Sequence, residues 1–171
     1  KSDKAIENDN FERNYLKEQC SYDWIFSFDA DEELLNAHDF FVNYLPLVEK
    51  YYNTCDIMMT WATPFKTIED KTLVICENNG QAFLKEPQGV VTSKDSTYVF
   101  ARWTDKCQAE SKKLMSPLIA LHWSLCRSQK DLHQKINNIG HSDLVEQDPF
   151  YQLWSDLTLD NYTQYKNFKT S

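Results

Sequence analysis

Asp23-Trp24-Ile25-Phe26-Ser27-Phe28-Asp29-Ala30-Asp31-Glu32-Glu33 is the stretch on which the reading of this chain turns. Tyr22 to Phe28 is short, apolar and aromatic, the signature of a buried strand. It runs directly into the acids Asp29, Asp31, Glu32 and Glu33. If the strand persists, alternation places Asp29 and Asp31 on one side at its carboxyl end. Open α/β sheets bind ligands in the crevice at that end. Two carboxylates there repel unless something positive lies between them. A Mg²⁺ or Mn²⁺ ion, itself coordinated by diphosphate oxygens, meets that need.

Three other readings of the acidic run compete. A calcium loop of the EF-hand type needs Gly at its sixth position and Glu at its twelfth; counted from Asp29 these are Leu34 and Phe40, and the pattern fails. A phosphatase of the haloacid dehalogenase type also begins on D-x-D after an apolar strand, but it then needs Thr or Val where Glu33 stands. Acids opening a helix account for Glu32 and Glu33 through the helix dipole, but not for aspartates at 29 and 31.

Working outward, residues 4–20 are expected to be helical, with Phe11, Tyr15 and Leu16 forming an i, i+4 face among charged positions. Residues 32–53 read as one long helix or two, with a break or kink at Pro46. β-rich stretches fall at 55–61, 72–76 and 97–103, and another strand begins at Gln81 after the Asn78-Asn79-Gly80 turn. Leu118 to Trp123 is a short apolar strand that carries His122. Ser128 opens a helix with Asp131 in the capping position, and Gly140 ends it. From 149 the tail is expected to be helical and then frayed. The pattern is α/β, and 1–171 reads as a single domain.

Composition narrows the function classes. Three glycines, Gly80, Gly89 and Gly140, form no cluster that could cradle a phosphate. A nucleotide must be held another way, and a metal ion is the substitute. The formal net charge of −8 argues against binding duplex nucleic acid through a basic face. No run of 18 apolar residues is present, so no transmembrane segment is expected in this chain. Cys20, Cys55, Cys76, Cys107 and Cys126 include no C-x-x-C pair, which excludes a zinc ribbon or a thioredoxin-type motif. They read as reduced thiols in a cytosol-like compartment, with a secreted form carrying two disulfides as the alternative. The first residue is Lys1, which suggests a processed chain or a piece of something longer.

Arg13-Asn14, followed by Asp23-Trp24-Ile25-x-x-x-Asp29-Ala30-Asp31-Glu32, resembles the central stretch of family 2 glycosyltransferases with a GT-A fold. The later run Leu121-His122-Trp123-Ser124-Leu125-Cys126-Arg127-Ser128, with Lys135-Ile136 and Gly140-His141-Ser142, is similar to the tail of bacterial and viral members. The resemblance covers residues from about 13 to 143. It implies a GT-A-like mixed sheet flanked by helices that lacks its N-terminal strands. It also implies metal-dependent, inverting transfer of a sugar from a nucleotide-sugar donor to a carbohydrate or other hydroxyl acceptor. Asp31 would contact Mn²⁺ or Mg²⁺ directly, and Asp29 would contact the donor through ribose, sugar or metal-bound water. His122, a core histidine if read from its strand alone, would become the second metal ligand. Asn14 and Arg127 would help hold the donor, Arg127 through a phosphate. Asp29, Asp31 and Asp95 are the catalytic candidates; Asp95 stands for a general base that Asp105 or Glu110 could equally supply. A cytoplasmic location is expected, with membrane association possible only through regions absent here. The competing reading is a non-catalytic, truncated transferase-like module that acts in binding or assembly, and a phosphatase comes third.

Overall fold

The computed structural model describes residues 5–52, 55–76, 86–106, 113–138, 149–165 and 168–170. In chain order the elements begin with α1 (Ala5–Gln19), β1 (Trp24–Phe26), β2 (Glu32–Leu34) and α2 (Ala37–Asp39). A π-helical turn (Phe40–Tyr44), α3 (Leu45–Tyr51), β3 (Asp56–Ala62), β4 (Pro64–Ile68) and β5 (Lys71–Ile75) follow. After these come β6 (Glu86–Ser93), β7 (Tyr98–Phe100), β8 (Trp103–Thr104) and β9 (Lys113–His122). The last are α4 (Gln129–Asn138), α5 (Pro149–Asp156) and β10 (Phe168–Thr170). The fold is mixed α/β, as the sequence pattern indicates. None of the described helices is long and apolar enough to cross a membrane. The strand and turn expected at 78–84, the helix end at Gly140, and Cys107, Glu110 and His141 lie outside the described residues. None of Cys20, Cys55, Cys76 and Cys126 forms a disulfide.

The chain divides into two compact units. The first comprises Lys1–Ala30, Leu34–Trp61 and Glu86–Ala120, and it carries the body of a five-stranded sheet of order β1-β6-β3-β9-β2. β1 and β3 each pair antiparallel with β6, in the register Trp24↔Ser93 and Asp56↔Thr92. Phe40, Val48, Ile57, Met59, Val90, Val91 and Leu118 form its core. The helical run beneath the sheet takes a π turn immediately before Pro46, which stands at the start of α3 and has no N–H to donate. The N–H of Leu45 reaches back five residues to the Phe40 carbonyl.

Two sequence expectations are corrected in this unit. The helix expected from residue 32 begins only at Ala37, because Glu32–Leu34 is a strand at the sheet edge; the Leu35 N–H bonds to the Ile119 carbonyl at 2.9 Å. The second correction concerns α1, whose expected apolar face points outward. Phe11, Tyr15 and Leu16 are 66, 55 and 63 % exposed. The docked face is polar instead. Asn10 donates to the Val99 carbonyl, and Lys17, buried, donates to the carbonyls of Lys94 and Ser96. Asn14 both donates to and accepts from the backbone of Tyr98. Residues 10, 14 and 17 share one side of a helix.

The second unit comprises Asp31–Glu33, Ala62–Lys85 and Leu121–Ser171. Its three-stranded sheet has the order β10-β5-β4, and its core gathers Phe65, Leu73, Ile75, Leu132, Trp154 and Leu157. Among its described residues the tail is therefore not frayed. Trp154 of α5 is buried with its indole N–H on the carbonyls of Phe65 and Leu125, and β10 pairs antiparallel with β5.

Candidate functional site

The strand alternation invoked for the two aspartates does not apply, because β1 ends at Phe26 and Ala30 and Asp31 form a turn. Each aspartate is built into its own unit and has its own partners.

Asp31 is placed by the chain that follows β9. The Trp123 N–H donates to the Asp31 carbonyl at 2.8 Å, and the Trp123 indole N–H donates to Glu33 at 3.1 Å. His122, the last residue of β9, is thereby held beside the acid, with Nε2 3.8 Å from Asp31 Oδ1. The turn after Trp123 brings in Arg127, whose Nε donates to the Ser124 carbonyl at 2.9 Å and whose Nη2 lies 3.1 Å from Asp31 Oδ2. α4 begins beyond it. The Asp131 N–H donates to the Ser128 hydroxyl, which donates to the Asp131 carboxylate, so the helix start is capped as expected. Leu132 anchors α4 in the core, and Lys135, three residues on, reaches Asp31 Oδ2 at 2.9 Å. The structure thus brings Asp31, His122 and Arg127 together and adds Lys135. Burial pushes the Asp31 carboxyl up, but the Lys135 hydrogen bond and charge, then His122 and Arg127, more than offset this and hold it below its ordinary value.

Asp29 answers to arginines. Arg13 of α1 places Nη2 3.4 Å from Oδ1 while its Nε is held by Asp9, and Arg102, in the hairpin between β7 and β8, places Nη2 2.8 Å from Oδ2. Arg102 carries no sequence signal: it stands alone, between a turn and a tryptophan. Lys135 was visible in the tail motif, but its partner lies 104 residues away. No protein-family model matches this chain, and no curated protein matches it.

The remaining predicted residues lie elsewhere. Both polar ends of the Asn14 side chain are engaged by the backbone of Tyr98, so in this structure it ties α1 to β7. Asp95 follows β6, and the Trp24↔Ser93 register sets it beside the start of β1, whereas Asp29 lies beyond the other end. The structure therefore does not bring Asp95 to Asp29. The Ser93 hydroxyl, and then Lys106, also lower the Asp95 pKa and make it a weaker proton acceptor. Asp105 accepts from the Thr97 N–H at 2.9 Å and returns its own N–H to the Thr97 carbonyl, closing the hairpin.

A divalent ion bonded at about 2.2 Å to a carboxylate oxygen and to an imidazole nitrogen keeps those atoms roughly 3–4 Å apart. Asp31 Oδ1 and His122 Nε2 fall in that range. Among the described residues no group of three or more His, Cys, Asp or Glu could enclose an ion. The pair by itself supplies two ligand atoms.

Proposed function

We propose that this chain carries the donor-binding core of a metal-dependent glycosyltransferase of the GT-A type that transfers a sugar from a nucleotide-sugar to a hydroxyl acceptor. One observation supports the reading most. His122, Arg127 and Lys135, all from the second motif stretch, converge on Asp31 from the first. In this reading Asp31 Oδ1 and the neutral imidazole of His122 hold Mn²⁺ or Mg²⁺. The ion, when bound, stabilises the leaving diphosphate. Arg127 and Lys135 exchange Asp31 Oδ2 for phosphate oxygens when the donor enters, since guanidinium and ammonium groups pair well with both. Asp29, held by its arginines, is the expected acceptor of a ligand hydroxyl.

A second reading, a non-catalytic module that binds a nucleotide-sugar or glycan, has one observation in its favour. Asp95, the general base candidate, lies at the far end of β1 from Asp29. A melting assay with Mn²⁺ and UDP-, GDP- and dTDP-sugars, followed by assay of sugar transfer or hydrolysis, separates the two. Stabilisation with turnover supports the enzyme, and stabilisation without turnover supports the module. Asp31→Asn is expected to keep the fold and to weaken Mn²⁺-dependent nucleotide binding by at least about 100-fold. A variant that binds like the parent by calorimetry would remove the metal reading.

A further inference from the structure

Asp29 is reachable from solvent, with 38 % of its side chain exposed, whereas the guanidinium that grips it is buried at 2 %. A simple surface ion pair leaves both partners wet. Here one is sealed, and the surrounding fold is shaped to seal it. Ala101 adopts φ 48°, in the left-handed region that residues with a Cβ avoid, so the hairpin turns Arg102 inward. The Arg102 carbonyl packs directly on Gly89, where any Cβ would collide with it. Two residues on, the Thr104 hydroxyl donates to Asp56, itself buried beside Thr92. The Arg102 guanidinium carbon lies 5.4 Å from the Trp61 ring centre. Arg13 offers less constraint: it is longer at 3.4 Å, partly exposed and shared with Asp9.

We infer that Arg102 is a positioning residue for Asp29: the fold fixes its guanidinium, which holds the Asp29 carboxylate in one rotamer and sets where a ligand hydroxyl meets it. Preorganising a ligand-facing group through a packed partner removes ordering that binding would otherwise have to supply. That the hydroxyl belongs to the ribose or sugar of a nucleotide-sugar rests on the function proposed above; the positioning itself does not.

The test uses Arg102→Lys, which keeps the charge and loses the planar guanidinium, and Arg102→Met, each with and without Asp29→Asn. In the ligand-free protein, carbon-13 NMR of labelled aspartate is expected to find Asp29 in one rotamer in the parent and averaged in Arg102→Lys. With Mn²⁺ and UDP, GDP or dTDP as probes, Arg102→Lys is expected to weaken binding about 10-fold. In the Asp29→Asn background the same change should cost less than about 2-fold, because its route is gone. A single Asp29 rotamer in Arg102→Lys, or equal affinity losses in both backgrounds, overturns the inference. Failure of Arg102→Met to fold leaves the decision with Arg102→Lys. If the parent binds none of the probes, the glycosyltransferase reading falls and the rotamer measurement alone judges Arg102.

Discussion

Asp29 and Asp31 are two residues apart, yet they are held by opposite means. Asp29 faces a sealed arginine, 2 % exposed, on a hairpin whose backbone is set by Ala101 and Gly89. Asp31 faces Arg127 and Lys135, 34 and 28 % exposed, one on a turn and one on a capped helix. A buried partner cannot leave without a desolvated charge being stranded, whereas long exposed side chains change partners at little cost. The first arrangement suits a group that must not move, the second a group that hands its cations to an incoming anion. Neighbouring carboxylates do not by themselves require a metal ion. Each aspartate receives cations from the chain itself.

The widest gap between the two centres is expected in stability. Asp29→Asn should lower the unfolding free energy by about 3 kcal/mol, because the buried Arg102 charge loses this carboxylate. Arg127→Met and Lys135→Met should each cost under about 1 kcal/mol. Urea unfolding of the three variants measures the difference, and equal losses would erase the contrast.

Thiol chemistry should show a similar contrast. Cys55, buried in the first unit's core, has its thiol pushed up to about 11 by burial and then by the charge of Asp56. Cys126, in the second unit, is half-buried beside Thr67. At pH 8 a thiol reagent should modify Cys126 in the native protein and reach Cys55 only on unfolding. The folded state holds Cys55 protonated, so that stabilisation is complete below the ordinary thiol value and is lost as pH rises from about 9 through 11. The loss is at most about 3 kcal/mol. Comparison with Cys55→Ala by alkaline unfolding isolates it, and an unchanged pH profile in that variant would contradict the assignment.

The smallest effects concern α1. Asn14→Ala should cost about 1–2 kcal/mol, since two backbone groups of Tyr98 lose their partner. Phe11→Ser on the outward face should stay within about 0.5 kcal/mol. A larger loss from Phe11→Ser would mean that the apolar face is covered in solution.

Much of the secondary structure was legible because it follows local pattern. The 15-residue α1, the strand at Trp24–Phe26, β3, β5 and the Ser128 cap all stand where hydrophobic runs and capping residues put them. What was misread depends on distant partners. Glu32-Glu33-Leu34 has helix-forming residues, and only pairing at the sheet edge makes it a strand. The apolar stripe of α1 obeys the helical period but faces outward, because Asn10, Asn14 and Lys17 find backbone partners across the chain. Asp95 could be located only by the β1–β6 register, which sequence does not give. Among the candidate site residues, His122 and Arg127 were readable from motif and do meet Asp31; Arg102 was not, because its place depends on a turn, a distant glycine and a buried aspartate.

The polar docking of α1 has a calorimetric consequence. Heat capacity and denaturant sensitivity both scale with the apolar surface that an opening uncovers. α1 hides little such surface, so its release is a small event on both scales, separate from melting of either core. The Tyr98 amide, whose hydrogen is held by Asn14, should exchange with deuterium by an opening nearly independent of urea, while amides of β3 exchange only through openings that urea promotes.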